Sequence, residues 1–441
     1  MDTFNQDDDK EEERRHFHQV CNSYQQYATF HQVVEQGMNH RRERLLSSTD
    51  TVEHAVPTVE SIMQKTLSQQ QMKKNNELFC KATIRNQYFL DNVLKHCGAK
   101  TSQEVRNANA SGVEWATEDQ ISKVDSVLKS IYRDWSVDGR EERSVVYNKL
   151  LNALDKYLPI NEEEMNDSED KVPPRVAVPG SGLGRLAFEI YANGYSSQGS
   201  DFSLPMLLAS DFILNGCSGQ DSFRQFAISP FLSETKNVKS LQERIRSVIV
   251  PDIAAADVHH EGEIAPEFTM LAGEFLSLYS HFLPGNESVD DHRQSGSNEK
   301  FNAVVCSFFL DTAVSLPHYL VTIYHMLEDG GLFVNMGPLM WHFSGHGAVI
   351  PEDLDGVIES TKVHGDFISA KHKRRTEYLD QRYLQSVDFT WEETRSFIVN
   401  CGFEILEEEL DVRTRYTSDV SSMKKVDYDC VFFVARKTVH R

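Results

Sequence analysis

Paired cysteines are the first thing this 441-residue chain lacks. Its seven (Cys21, Cys80, Cys97, Cys217, Cys306, Cys401 and Cys430) are odd in number and include no C-x-x-C spacing. That excludes a zinc site of the usual spacing and points to a reducing compartment. The histidines, including the His259-His260 pair, show no metal-ligand spacing either, so no metal is expected. No stretch approaches the ~18 uninterrupted apolar residues of a membrane span. The opening MDTFNQDDDKEEERR has no apolar h-region, which excludes a secretory signal. The expected location is the cytosol, with the nucleus as a second. Positive charge is also scarce: 45 Lys and Arg stand against 67 Asp and Glu, a net charge of -22. A surface that acidic repels phosphate backbones and argues against nucleic acid as the main partner.

What is present is enough apolar material, 40% of residues, for a sizeable core. Residues 1–15 read as a solvated, disordered charged tail. From Phe17 the apolar positions Val20, Tyr24, Tyr27 and Val34 recur at helical spacing and put one stripe on one face. Further helices are expected over about 58–96, 118–138 and 140–158, with a connecting loop at 98–118, so 16–160 forms a helical region. Its apolar faces allow a homodimer. An acidic linker from Glu162 to Lys171 and the pair Pro173-Pro174 then open a second region, 161–441. There strands and helices alternate. Strands are expected at Arg175–Val178, 196–201, 247–250 and 268–271, then at 301–310, a continuous apolar run typical of a buried strand. They continue at 331–336, with a late antiparallel pair at 403–410 and 429–437. The pattern implies an α/β fold with a doubly wound, Rossmann-like sheet. Residues 284–299 read as a polar surface loop.

Between the first strand of that region and the helix after it lies Val178-Pro-Gly180-Ser-Gly182-Leu-Gly184. Glycines there let the backbone turn tightly and approach a ligand, and the helix N-terminus offers free N–H donors. The spacing is G-x-G-x-G. A dinucleotide oxidoreductase would need G-x-G-x-x-G, so that reading is disfavoured. Asp201 ends the next strand, where a carboxylate can accept two ribose hydroxyls. A glycine turn followed by a helix-capping Asp would use the same residues; the strand context favours a ligand.

The segments VPGSGLGRLAFEIYANGYSSQGSDFSLPMLLASDFILN, PDI at 251–253, FTMLAGEF at 268–275 and CSFFLDTA at 306–313 resemble the carnosine N-methyltransferase (N2227-like) family. So do YLVTIYHMLEDGGLFVNMGPLMWHF at 319–343, SSMKKVDYDCVFFVARK at 421–437 and, in the helical region, HFHQVCNSYQQY and IYRDWSVDGREER. The resemblance covers nearly the whole chain, and FF-x-DTA and GPL-x-x-HF are its most specific motifs. It implies a class I methyltransferase sheet with a helical N-terminal region, S-adenosylmethionine as cofactor, and a small histidine-containing peptide as substrate. Residue by residue, it implies that Gly180, Gly182 and Gly184 cradle the methionine part of the cofactor and that Asp201 holds the ribose. Glu274 and Phe275 stand where the family has Asp-Phe beside adenine. Arg133 reaches the cofactor carboxylate, Ser130 takes the place of a family glutamine, and Ser307 that of a cysteine. Asp311, His342, Tyr416 and Tyr428 bind the peptide. Two departures accompany it. A family run of tyrosines is Val426-Asp427-Tyr428 here, so one aromatic wall of the peptide pocket is thinner, and residues 345–385 look like an insertion.

Methyl transfer from a sulfonium is an in-line displacement in which positioning is most of the task. A neutral imidazole is nucleophilic only at the nitrogen without a proton, so an acceptor at the other nitrogen selects the tautomer. Asp311, at the C-terminal end of the 301–310 strand, is the expected acceptor; capping the following helix is its structural alternative. Two further functions stay open on these residues, a protein-histidine methyltransferase and a non-catalytic scaffold that kept the fold.

Overall fold

The computed structural model describes residues 3–47, 62, 66, 68–107, 114–160, 172–217, 225–260, 265–284, 299–343, 387–416 and 419–438. The linker expected from Glu162 and the insertion expected at 345–385 lie outside them.

Among the described residues, four long helices precede the sheet: α1 (Thr3–Ser47), α2 (Gln69–His96), α3 (Glu118–Trp135) and α4 (Arg140–Tyr157). The α1 backbone runs through much of the segment read as a disordered tail. Glu and Lys/Arg are good helix formers, and Glu11 stands four residues before Arg15, a spacing that supports a helix. The loop expected at 98–118 contains one short helix, Ser102–Asn107. α3 starts at a capping box: the Thr117 hydroxyl accepts the Gln120 N–H at 3.2 Å and the Gln120 side chain accepts the Thr117 N–H at 2.9 Å. No described helix is long and apolar enough to cross a membrane.

The sheet has seven strands in the order β5-β2-β1-β6-β7-β9-β8. They are β1 (Arg175–Pro179), β2 (Ser196–Asp201), β5 (Phe268–Ala272), β6 (Phe301–Ser307), β7 (Leu327–Gly337), β8 (Phe403–Arg415) and β9 (Asp427–Lys437). β5, β2, β1, β6 and β7 pair in parallel, and β9 runs antiparallel to both of its neighbours. This is the class I methyltransferase arrangement, with the topological switch between β1 and β6, where ligands of such sheets bind outside the strand C-termini. The segment 247–250 forms a strand, β4 (Val248–Val250), but in a separate two-stranded sheet with β3 (Phe226–Ile228).

The central strands alternate between two cores with the period of two that a pleated strand imposes. Val176, Val178, Ala303, Val305, Leu332 and Val434 face α4 and α5 (Arg185–Ala192). Ala177, Val304, Phe333 and Phe433 face α7 (Leu316–Met326) and α8 (Trp391–Asn400). A further helix, α6 (Leu204–Asp211), follows β2. A third core joins the two regions: Tyr24 and Tyr27 of α1, Phe89 of α2 and Trp135 of α3 pack in one cluster with Leu183, Phe188 and Ile213. Each such side chain, fully buried, contributes about 1.5–3 kcal/mol. The helical region is thus built onto the sheet and closes over its carboxyl edge.

Candidate active site

A cavity of about 440 Å³ opens at the switch point, within the size range of small-molecule sites. The glycine loop forms its floor. Gly180 and Gly182 have φ of +66° and +55°, a region that L side chains rarely enter. A Cβ at Gly180 would lie 2.4 Å from Phe309 Cδ2, so the loop also needs the missing side chain for space. The Gly182 N–H donates to Asp201 Oδ2 at 2.8 Å, and the Ser203 N–H donates to Oδ1 at 2.8 Å. Burial pushes the Asp201 carboxyl above its ordinary value, and these backbone donors pull it part of the way back. Gly184 caps α5 and packs against Leu214, Ser210 and Met270; it does not line the cavity.

The wall opposite comes from α3. Ser130 and Arg133 both line the cavity. Arg133 is held by its neighbour: Nε and Nη2 donate to the two Asp134 carboxylate oxygens at 2.6 and 2.7 Å. Its third nitrogen, Nη1, is buried with no hydrogen-bond partner. A buried guanidinium nitrogen is costly to leave unpaired, so Nη1 on the cavity wall is suited to an anionic ligand group such as a carboxylate. Burial works against the charge, but Asp134 and Tyr416 outweigh it and hold the group well above its usual value. The guanidinium lies 4.3 Å from the centre of the Tyr416 ring. Glu274 and Phe275 line a third side. Glu274 caps a short helix, accepting the Ser277 N–H at 2.9 Å, and the Phe275 ring packs 4.8 Å from Tyr319.

Ser307, His342 and Tyr416 complete the lining, Tyr416 directly beside Arg133. Asp311 is 2% exposed and sits behind this wall, between the lining residues Thr312 and His342. Its Oδ2 accepts the Met340 N–H at 3.1 Å and its carbonyl accepts the His342 N–H at 2.9 Å. Burial raises its carboxyl above the ordinary range, against the lowering influence of His342. Tyr428 is outside the lining; its ring meets Phe308 edge-on at 6.1 Å. Tyr416 stacks on Phe308 at 4.4 Å and 27°. Phe308 therefore supplies an aromatic surface at the wall that the Val426-Asp427-Tyr428 sequence had left thin.

Ser130, Arg133, Gly180, Gly182, Asp201, Glu274, Phe275, Ser307, His342 and Tyr416 thus meet at one cavity, with Asp311 directly behind it and Gly184 and Tyr428 one layer out. Sequence reasoning did not single out Phe308, Phe309 and Tyr147. The two phenylalanines were visible within FF-x-DTA. What was not visible is the φ of +51° at Phe308 that turns its ring toward Tyr416. Tyr147 comes from α4, and its hydroxyl donates to Asp134 Oδ1 at 3.1 Å.

The carnosine N-methyltransferase family model matches residues 111–439. Carnosine N-methyltransferase of Rattus norvegicus is 26% identical over 98% of this chain and 88% of its own length. That of Schizosaccharomyces pombe is 33% identical over 72% of this chain and 71% of its own. Among solved structures, magnesium protoporphyrin IX methyltransferase from Synechocystis PCC 6803 with bound SAH is similar at 12% identity and a TM-score of 0.33, covering 72% of this chain and 95% of that one. With the family matched over most of its length, this methyltransferase chain belongs to the carnosine N-methyltransferase family.

Proposed function

We propose that the enzyme methylates an imidazole nitrogen of carnosine, giving anserine, or of a closely related histidine-containing dipeptide. The observation that supports this most is a single cavity whose wall carries both an unpaired buried guanidinium nitrogen and His342, with the Asp311 carboxyl just behind. S-adenosylmethionine is the methyl donor and supplies an electrophilic methyl group on a sulfonium. Gly180 and Gly182 hold the backbone close to the donor, Asp201 accepts from its ribose, and Arg133 Nη1 donates to its carboxylate. Phe275 offers an apolar face for adenine. Asp311 accepts the N–H of the substrate imidazole once the peptide has displaced the Thr312 and His342 side chains in front of it, so that the other nitrogen presents its lone pair. The same carboxylate balances the positive charge that develops on the ring and then holds the proton until product leaves. His342 and Tyr416 bind the polar ends of the peptide.

The direct test incubates the purified protein with labelled S-adenosylmethionine and either carnosine or a histidine-rich protein lysate, and maps the product by NMR. Methylated carnosine supports the proposal. Label only in protein histidines would replace the dipeptide with a protein substrate.

A further inference from the structure

The PDI segment has no part in the reaction described above, yet Asp252 lies under both walls of the donor end. Its side chain is 1% exposed and carries two guanidinium partners: Arg143 Nη2 donates to Oδ2 and Arg185 Nη1 to Oδ1, each at 2.5 Å. Arg185 is the residue immediately after Gly184 and opens α5. Arg143 belongs to α4, the helix that follows α3. Both guanidiniums also reach the end of α3. The last carbonyls of a helix have no partner within it, and here every one from Tyr132 to Ser136 is taken from outside the helix ladder. Arg143 Nη1 donates to the carbonyls of Arg133 and Ser136 at 3.0 and 2.6 Å, and Arg185 Nη1 to that of Asp134 at 2.9 Å. The Asp252 N–H donates to the Trp135 carbonyl at 2.9 Å, and Ser136 Oγ to that of Tyr132 at 2.6 Å. Two cations at a helix C-terminus also match its dipole.

From this geometry we infer that Asp252 is a positioning residue for donor binding, fixing the distance between the glycine loop and Arg133. The Asp252 carboxylate bridges the two guanidiniums, one rooted beside the glycine loop and both gripping the turn that carries Arg133; Glu189 pairs with Arg185 Nε at 2.8 Å but does not reach Arg143. Without the Asp252 charge, Glu189 still answers Arg185 but Arg143 loses its carboxylate partner beside a second buried cation, and the end of α3 moves relative to the loop. Arg133 Nη1 then no longer meets a ligand seated on Gly180 and Gly182.

The inference rests on the donor assignment above, so the test uses S-adenosylhomocysteine binding by isothermal titration, which needs no methyl acceptor. Wild-type protein that binds establishes the donor site; wild-type protein that does not would remove the donor assignment itself. Asp252→Asn keeps the shape and loses the charge. It is expected to bind roughly ten- to a hundred-fold more weakly at unchanged stoichiometry. A merely structural role would instead lower the stoichiometry, through a misfolded fraction, at an unchanged Kd. A folded Asp252→Asn protein with Kd within two-fold of wild type, or with only its stoichiometry reduced, overturns the inference. If Asp252→Asn does not fold, Arg143→Lys decides by the same two readings, since it keeps the charge while losing the fork that spans the Asp252 carboxylate and the α3 carbonyls.

Discussion

At the scale of single residues, the site turns on two charged groups that its surroundings leave partly unanswered. Asp311 is buried, and its carboxyl is raised above its usual value. Its ionised form is the one that can accept an imidazole N–H, so the rate falls as the pH drops through that raised value. The acid limb of a kcat profile is therefore expected above the ordinary carboxylate range. Asp311→Asn should lower kcat by roughly 10²–10⁴-fold, the usual weight of a positioned base, and leave S-adenosylhomocysteine binding within about two-fold. Its effect on stability has the opposite sense. A folded-state value raised by burial means that stability is lost as the pH rises through it. Above that value the loss is complete, and Asn can still accept the Met340 N–H. A melting temperature equal to or above wild type at pH 7 is expected, and a large decrease would contradict this account. Arg133→Met removes the proposed donor to the cofactor carboxylate, a charged hydrogen bond whose loss costs about 1.5–3 kcal/mol. It should therefore weaken S-adenosylhomocysteine binding about ten- to a hundred-fold in the same titration.

Elements position these groups, and they differ in how openly the sequence declared them. The strand–glycine–helix unit around Gly180 and the strand ending in Asp201 were legible because each is local: a short apolar run, a turn, an amphipathic start. β6 was legible because strands buried on both faces carry uninterrupted apolar residues. The path of α1 before Phe17 was not, because a dense charge run suits both a tail and a solvated helix. The meeting of Arg133 with Tyr416 was not legible either, since only the assembled sheet brings them together. Nor was the left-handed turn at Phe308, whose Cα lies 3.1 Å from where a Cβ on Gly337 would stand. Two predictions belong at this scale. Gly180→Ala should lose donor binding, since it meets both a positive φ and Phe309. Thr117→Ala removes the capping box of α3 and should destabilise the fold by about 1 kcal/mol. A chemical denaturation midpoint and a binding titration together check that the second change leaves the Kd unmoved.

At the scale of the whole molecule, the helical region and the sheet share one core, with Trp135 at its centre. The indole donates to the Leu183 carbonyl at 3.1 Å, and the Arg185 guanidinium lies over its ring at 4.8 Å. A shared core predicts one cooperative transition by calorimetry, shifted upward by S-adenosylhomocysteine as expected for a ligand that binds only the native state; two separated transitions would show that the regions unfold independently. The spread of the cavity wall along the chain carries one more consequence. Its lining begins at Ser130 and is completed only by Tyr416. During synthesis, therefore, every earlier part of the wall leaves the ribosome before the residue that closes it. A chain that stops upstream of Tyr416 is therefore expected to lack the ring on which Arg133 stacks and to lose donor binding, which titration of the truncated protein checks.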